Sequence, residues 1–368
     1  MSGAPAAGRV PFNALRPGAD QPAVDEAIRR VIDRGWFVLG PEVEAFEQEF
    51  AAACGAARAV GVGTGTDAIT LILRALGIGP GDEVITTPLS AAYTALAVMM
   101  AGARPVFADI DPARLTIDPA AVEAAITPRT RAILPVHLYG QAADLEALGR
   151  LADRHGLALV EDACQAHLAT AAGRPVGTVG VAGAFSFYPT KNLGGMGDGG
   201  AVVTGDQALA DRIRRLRNGG QTSRYHHEEP GANSRLDELQ AAILRARLPY
   251  LAGWTARRRQ IAAGYRARLA GASVEVPPAL DAGHVYHLFP VLTGARDRFQ
   301  AFLLERGIET LIHYPVPIPL QPALAAASPA ACPVAERVCR QVVSLPLYPA
   351  LQDADAEAVT AAVTAFQG

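Results

Sequence analysis

Short apolar runs alternate with segments of helical periodicity through the first two-thirds of the chain. The runs predict strands at 59–62, 83–87, 105–110, 131–137, 157–161, 184–188 and 201–204. Helical spacing predicts helices between or after them, at 67–76, 92–100, 119–125, 144–155 and 208–217. Strands apolar on both faces and joined by helices imply an α/β fold, a mostly parallel seven-stranded sheet with helices on both faces. Ligands of such sheets bind at the carboxyl ends of the strands.

The flanking segments follow other patterns. Residues 1–30 read as an N-terminal arm, loop-like to Pro22 and then a short helix through Val24, Ile28 and Val31. Pro41 opens a second helix carrying Val43, Phe46 and Phe50 on one side, and Gly55 ends it. After a polar, irregular stretch at 218–233, a long helix is expected from 235 to 268, broken near Pro249. The last hundred residues read as α+β: a strand at 284–292, a helix at 298–306, a strand at 310–313, a proline-rich loop and two terminal helices. No low-complexity linker intervenes. The expected divisions are the arm (1–30), a large domain (31–247) and a smaller α+β C-terminal domain (248–368).

Composition narrows the function classes. Half of the 368 residues are hydrophobic, 19% are charged and the formal net charge is −3. That balance creates no field to recruit nucleic acid or an anionic membrane. No apolar run approaches about 18 residues, and the N-terminal MSGAPAAGRVPF lacks the apolar core of a signal peptide. Cys54, Cys164, Cys332 and Cys339 show no ligand spacing. They read as thiols in a reducing cytoplasm, and no metal site is expected.

One detail of composition points to chemistry. Among 33 basic residues Lys191 is the single lysine, and every other one is arginine. An ammonium can be tuned down to a nucleophilic amine, whereas a guanidinium stays charged. The reaction that needs this is Schiff-base formation with a carbonyl, above all with pyridoxal phosphate. Lys191 sits in SFYPTKNLGGMGDGG, residues 186–200, directly after a predicted strand, where glycines allow backbone to approach a ligand. GTGTDA, residues 63–68, lies at another strand-to-helix turn and suits a phosphate, although a plain helix cap would also explain it. VEDACQAH, residues 160–167, puts Asp162 at the end of a strand. A carboxylate there either pairs with a protonated pyridine nitrogen or caps a helix, and Gln165 could reach a ring hydroxyl. His167 reads equally as a packed core histidine or a ligand contact.

These motifs, together with NSRLDELQAAIL at 233–244 and HYPVPIPLQPA at 313–323, make the chain resemble the DegT/DnrJ/StrS family of pyridoxal-phosphate-dependent nucleotide-sugar aminotransferases over nearly its whole length. The resemblance implies a type I fold for this cofactor, as in aspartate aminotransferase, in a homodimer with the active site at the interface. It implies that Lys191 carries the Schiff base, Asp162 holds the pyridine nitrogen and Gln165 meets the ring hydroxyl. Gly65, Thr66 and Ser186 are assigned to the phosphate, joined by Asn233 from the other subunit. His313, Tyr314 and Arg235 are assigned to the nucleotide-diphosphate sugar.

The implied reaction moves an amino group from glutamate, by way of pyridoxamine phosphate, to a keto-sugar nucleotide. A dTDP-linked 3-keto-6-deoxyhexose fits best, with UDP-linked 3-keto sugars as the alternative. Two rivals differ in class. Dehydratase relatives carry histidine in place of the lysine, which Lys191 opposes. A non-catalytic, cofactor-binding regulator would lack the sugar-side motifs present here. The chain departs from the family pattern at Ala91, where many members place an aromatic ring against the cofactor, and Tyr93 lies two residues away.

Overall fold

The computed structural model describes residues 8–324 and 331–368. The first seven residues of the expected arm, and part of the proline-rich loop, lie outside them. In chain order the large part consists of α1 (Gln21–Arg34), α2 (Pro41–Cys54), β1 (Arg58–Val62), α3 (Gly65–Ala75), β2 (Glu83–Thr86), α4 (Tyr93–Met100), β3 (Arg104–Phe107) and α5 (Pro119–Ala125). It continues with β4 (Thr130–Leu134), α6 (Leu145–His155), β5 (Ala158–Asp162), the small hairpin β6 (Thr170–Ala171) and β7 (Arg174–Pro175), then β8 (Ala182–Ser186), β9 (Gly200–Thr204) and α7 (Gln207–Leu216). An exposed hairpin follows, β10 (Gln221–Ser223) and β11 (His226–His227), and then α8 (Glu238–Arg247) and α9 (Leu251–Arg268). The remainder holds β12 (Phe289–Leu292), α10 (Arg296–Glu305), α11 (Pro333–Gln341), β13 (Val342–Leu345) and α12 (Asp353–Ala365).

The seven expected strands form one sheet in the order β1-β9-β8-β5-β4-β2-β3. All run parallel except β9, which is antiparallel to both of its neighbours. Alternate residues of each strand enter two separate cores. Ala59, Ile85, Ile133 and Phe185 pack with Phe46 and Phe50 of α2, Leu148 of α6 and Leu244 of α8. Val60, Val84, Leu134 and Ala184 pack on the other face with Ile69 and Ile72 of α3, Val98 of α4 and Ile213 of α7. Period-two alternation between two apolar layers is why the strands read as continuous apolar runs.

Three segments differ from the expectation. The strand expected at 284–292 is regular only from Phe289. Before it, the carbonyls of His284, Tyr286 and His287 accept from the guanidinium groups of Arg258 and Arg259, so they do not join a ladder. The strand expected at 310–313 reduces to one bridge between Leu311 and Ser344, because Pro315, Pro317 and Pro319 follow and cannot donate. β13, between the terminal helices, is the true partner of β12. The long helix begins at Glu238, since Ser234 to Asp237 run extended beneath β1 and α2.

Glu238 explains how that helix is anchored. Its buried carboxylate accepts the backbone N–H groups of Gly40, Glu42 and Val43 at 2.9, 3.0 and 2.8 Å, capping α2. The N-terminal arm closes the smaller unit: Val10 pairs with Ile308, and the Phe12 ring lies 5.6 Å from that of His313.

Glu42, in the first turn of α2, is buried beneath Arg30, Arg34 and Arg245 at 2.9, 3.2 and 2.6 Å. The hydrogen bond from Arg30, helped by Arg245, outweighs burial and holds its carboxyl down at about 2, from an ordinary 4.5. The stabilisation is complete above pH 4.5 and is lost as the pH falls through about 2. Urea unfolding at pH 7 should place Glu42→Gln below the wild type by about 1–3 kcal/mol. The gap should close between pH 4.5 and 2. A gap that stays constant across that window contradicts this account.

Candidate active site

The site forms where the carboxyl ends of β1, β2, β4, β5 and β8 meet one edge of the sheet. Asp162 is the last residue of β5 and Ser186 the last of β8. The Lys191 backbone N–H folds back onto the Tyr188 carbonyl at 2.8 Å, which brings the lysine to the same edge. Burial pulls the Lys191 ammonium down from the ordinary lysine value, against the opposing pull of Cys164 and Asp162. The Asp162 carboxylate is buried and accepts the Thr94 hydroxyl at 2.8 Å and the Cys164 N–H at 3.1 Å.

The loop bearing the lysine is held on every side. Asn192 donates to the Val285 carbonyl at 3.1 Å and pairs with the His287 ring at 3.1 Å. Gly195 donates to the Phe187 carbonyl, and Met196 donates to Gln240 at 2.8 Å. Arg247 bonds the Gly194 carbonyl. A side chain at Gly194 would lie 2.5 Å from the Pro189 carbonyl oxygen, so the turn needs glycine there.

Opposite Asp162, α3 begins at Gly65 with Thr64 as its cap: the Thr64 hydroxyl accepts from the Asp67 N–H at 3.0 Å. Thr66 follows in the first turn, where helical N–H groups and the helix dipole favour an anion. Gly65 lies directly against Ser186 and Cys164, for a Cβ there would come within 2.8 and 2.7 Å of them. The phosphate-type motif and the strand-end serine therefore form one cradle. The geometry that caps α3 is also one that suits an anion.

Gln165 joins two further elements. Its carbonyl accepts the Tyr139 N–H at 2.8 Å, and its amide donates to the Tyr314 hydroxyl at 3.1 Å. Burial pushes the Tyr314 phenol up to about 12, so it stays protonated. Tyr139 also donates its hydroxyl to the His313 carbonyl, and His313 Nδ1 pairs with Ser344 at 3.0 Å. Burial and the nearby Lys191 take His313 down to about 4 and His167 to about 3. Burial first, and then Lys191, also drives His287 well below its ordinary value. All three rings are neutral near pH 7. The His167 ring packs on Phe185 and Phe187 in the core.

Lys191, Asp162, Gln165, Ser186, Gly65, Thr66 and Tyr314 thus converge. Asn233 and Arg235 do not join them within one chain. Asn233 is exposed, while its neighbour Ser234 accepts from Gly63 N–H at 2.9 Å and donates to Asp67 at 2.8 Å. Arg235 bonds Asn218 across the base of the exposed hairpin. Tyr93 is 66% exposed in the single chain. The motif search missed Thr94 and Tyr139, whose residue types carry no catalytic signature. Only their position, at the start of α4 and in the turn after β4, on the site's edge of the sheet, could have singled them out.

A buried amine beside a carboxylate, with a glycine–serine cradle at a helix N-terminus nearby, fits a carbonyl cofactor that carries a phosphate and a ring nitrogen. The model of the DegT/DnrJ/EryC1/StrS aminotransferase family matches residues 19–364. The dTDP-3-amino-3,4,6-trideoxy-alpha-D-glucose transaminase of Streptomyces venezuelae is 52% identical over 96% of this chain and 95% of its own. The erythromycin biosynthesis sensory transduction protein EryC1 of Saccharopolyspora erythraea is 51% identical over 93% of this chain and 94% of its own. Among solved structures, S. venezuelae DesV in complex with a ketimine intermediate superposes with a TM-score of 0.95 at 52% identity, covering 97% of this chain and 98% of that one.

The closeness of Gly65 to its neighbours gives a direct test of the cradle. Gly65→Ala should lower the stability of the cofactor-free protein by about 1–3 kcal/mol in urea unfolding, as overpacking does. An unchanged midpoint would show that the cradle has room.

Proposed function

The chain belongs to the DegT/DnrJ/EryC1/StrS aminotransferase family, and from that membership we propose that it aminates C3 of a keto-sugar carried on a nucleotide diphosphate, dTDP in the first instance, with glutamate as donor. The family works with pyridoxal phosphate. The observation that carries the reading is the Lys191 amine, lowered by burial and set against Asp162 at the phosphate cradle. Gly65, Thr66 and Ser186 would hold the phosphate, Asp162 the ring nitrogen, Gln165 the ring hydroxyl and Lys191 the carbonyl carbon. When bound, the cofactor supplies an electron sink for the pair left by breaking a C–H bond next to the amino group.

This chain's residues do the rest. As a free amine, Lys191 would take the proton from the donor's α-carbon and return one on the other side of the transfer. The Asp162 carboxylate would hold a proton on the ring nitrogen. Tyr314 and the neutral His313 would meet the sugar nucleotide as hydrogen-bonding partners rather than as charges, and Arg235, which lies outside the site of its own chain, would supply the cation for the diphosphate from a second copy. A regulator is the rival suggested by the name of EryC1. The sugar-side residue Tyr314, bonded to Gln165 beside Asp162, supports catalysis instead.

Homodimer assembly is part of the proposal. Trp36, Phe37, Tyr188 and Met196 expose large apolar groups, the last two beside the lysine loop, and a second copy would cover them. Asn233, exposed at the end of the hairpin, then reaches the phosphate of the neighbouring subunit. Four free thiols support a reducing, cytoplasmic setting.

Mass spectrometry of the protein incubated with pyridoxal phosphate, glutamate and a panel of dTDP- and UDP-linked keto sugars tests the reaction. An amino sugar from the dTDP-3-keto-6-deoxyhexose alone is the expected product. Borohydride reduction should fix the cofactor on Lys191. Lys191→Ala should lose the visible absorbance and Lys191→Arg should not restore it, since arginine keeps its proton. Cofactor fixed elsewhere overturns the assignment.

Mixing Lys191→Ala chains with Asn233→Asp chains tests the shared site. Each homodimer should be inactive, and reassembled mixtures should regain up to about a quarter of wild-type activity, because half the dimers carry one intact site. No recovery in heterodimers verified by mass spectrometry would remove Asn233 from the partner's site.

A further inference from the structure

Among the described residues no arginine forms an ion pair with Asp162. The titratable groups facing it are Lys191, Cys164 and Tyr314, each on a different element or turn. An ionised carboxylate only accepts hydrogen bonds, so the donors that reach it define its orientation; besides a contact from the Cys164 thiol there are two. One is the Cys164 N–H to Oδ1, a local contact two residues along the same turn. By itself it leaves the carboxylate free to pivot, because the terminal torsion of aspartate is broad. The other is the Thr94 hydroxyl to Oδ2 at 2.8 Å, from the first turn of α4 and 68 residues away in sequence. Both side chains are buried, at 3% and 4% exposure, so water does not compete with the bond.

We propose that Thr94 is a positioning residue that locks the plane of the Asp162 carboxylate and so sets how strongly the cofactor's ring nitrogen holds its proton. Two donors from two elements fix both oxygens and leave the remaining lone pairs to point in one direction. Thr94 does not touch the reacting atoms; it acts through Asp162. The inference rests on the assignment of Asp162 to the ring nitrogen. It also gives the stretch 90–94 a role that survives the loss of the aromatic residue at position 91: the start of α4 steers the carboxylate instead of covering the ring.

The test uses Thr94→Val, Thr94→Ser, Asp162→Asn and the Thr94→Val/Asp162→Asn double variant, loaded with pyridoxal phosphate labelled with ¹⁵N in the ring. Two quantities are read: the pH midpoint of the ring-nitrogen resonance and the cofactor affinity by equilibrium dialysis. Thermal melts of the cofactor-free variants report folding. Thr94→Val should lower the midpoint by about one unit and weaken binding about tenfold, the size of a lost charge-assisted hydrogen bond. Thr94→Ser, which keeps the hydroxyl, should restore both to within about twofold. In the double variant the Thr94→Val effect should largely vanish, because the group it acts through has changed.

A normal midpoint in Thr94→Val overturns the proposal, as does a serine variant no better than valine or full additivity with Asp162→Asn. A normal midpoint in Asp162→Asn overturns the assignment of Asp162 itself, and Thr94 with it.

Discussion

The structure depends on keeping one amine in a place where it can lose its proton. Lys191 is drawn into the protein far enough for burial to destabilise its ammonium, yet it stays in the field of Asp162 and Cys164, which oppose that loss. The balance would fail if cations crowded the same cavity. The three histidines within its reach, His167, His287 and His313, are instead held neutral, and the lysine's own charge is part of the reason. Arg30 and Arg245 pair with a carboxylate away from the lysine, at Glu42. A guanidinium at position 191 would satisfy the same loop geometry and supply none of the chemistry.

Scaffold and site share residues to an unusual degree. In NSRLDELQ, Glu238 caps α2 and Gln240 fixes the turn after the lysine, while Ser234 ties the segment to the loop before α3. The motif that marks the family by sequence is therefore largely a fastening between the hairpin, the lysine loop and the phosphate-type cradle. Gln165 works in the same double way. It bonds Tyr139 in the turn after β4 on one side and Tyr314 of the proline-rich loop on the other, leaving donor capacity on its amide.

The sheet was legible in the sequence because both of its faces are covered: a strand buried twice has no polar alternation to confuse with a loop. The strand-end residues followed from that, since the fold class alone says at which edge ligands gather. What stayed illegible was contact-dependent. Thr94 is an ordinary threonine until β5 is placed beside β4 and β2, and Tyr139 is an ordinary aromatic until its hydroxyl meets the His313 carbonyl. The segment before Phe289 reads as a strand by composition. Two arginines from α9 take its carbonyls, which no periodicity announces.

The arm at the start of the chain has a consequence for how the molecule is made. Its residue Phe12 donates to Glu309, 297 positions later, and Val10 pairs with Ile308. The seven strands of the large sheet are complete once Thr204 has been synthesised, so that sheet can assemble while the ribosome is still adding the rest. The smaller unit cannot. Its first-made piece must wait, unpaired, for almost the whole remaining chain, and it closes through contacts of very long sequence separation. The surface where Phe12 meets His313 can therefore close only after every strand of the large sheet has been made.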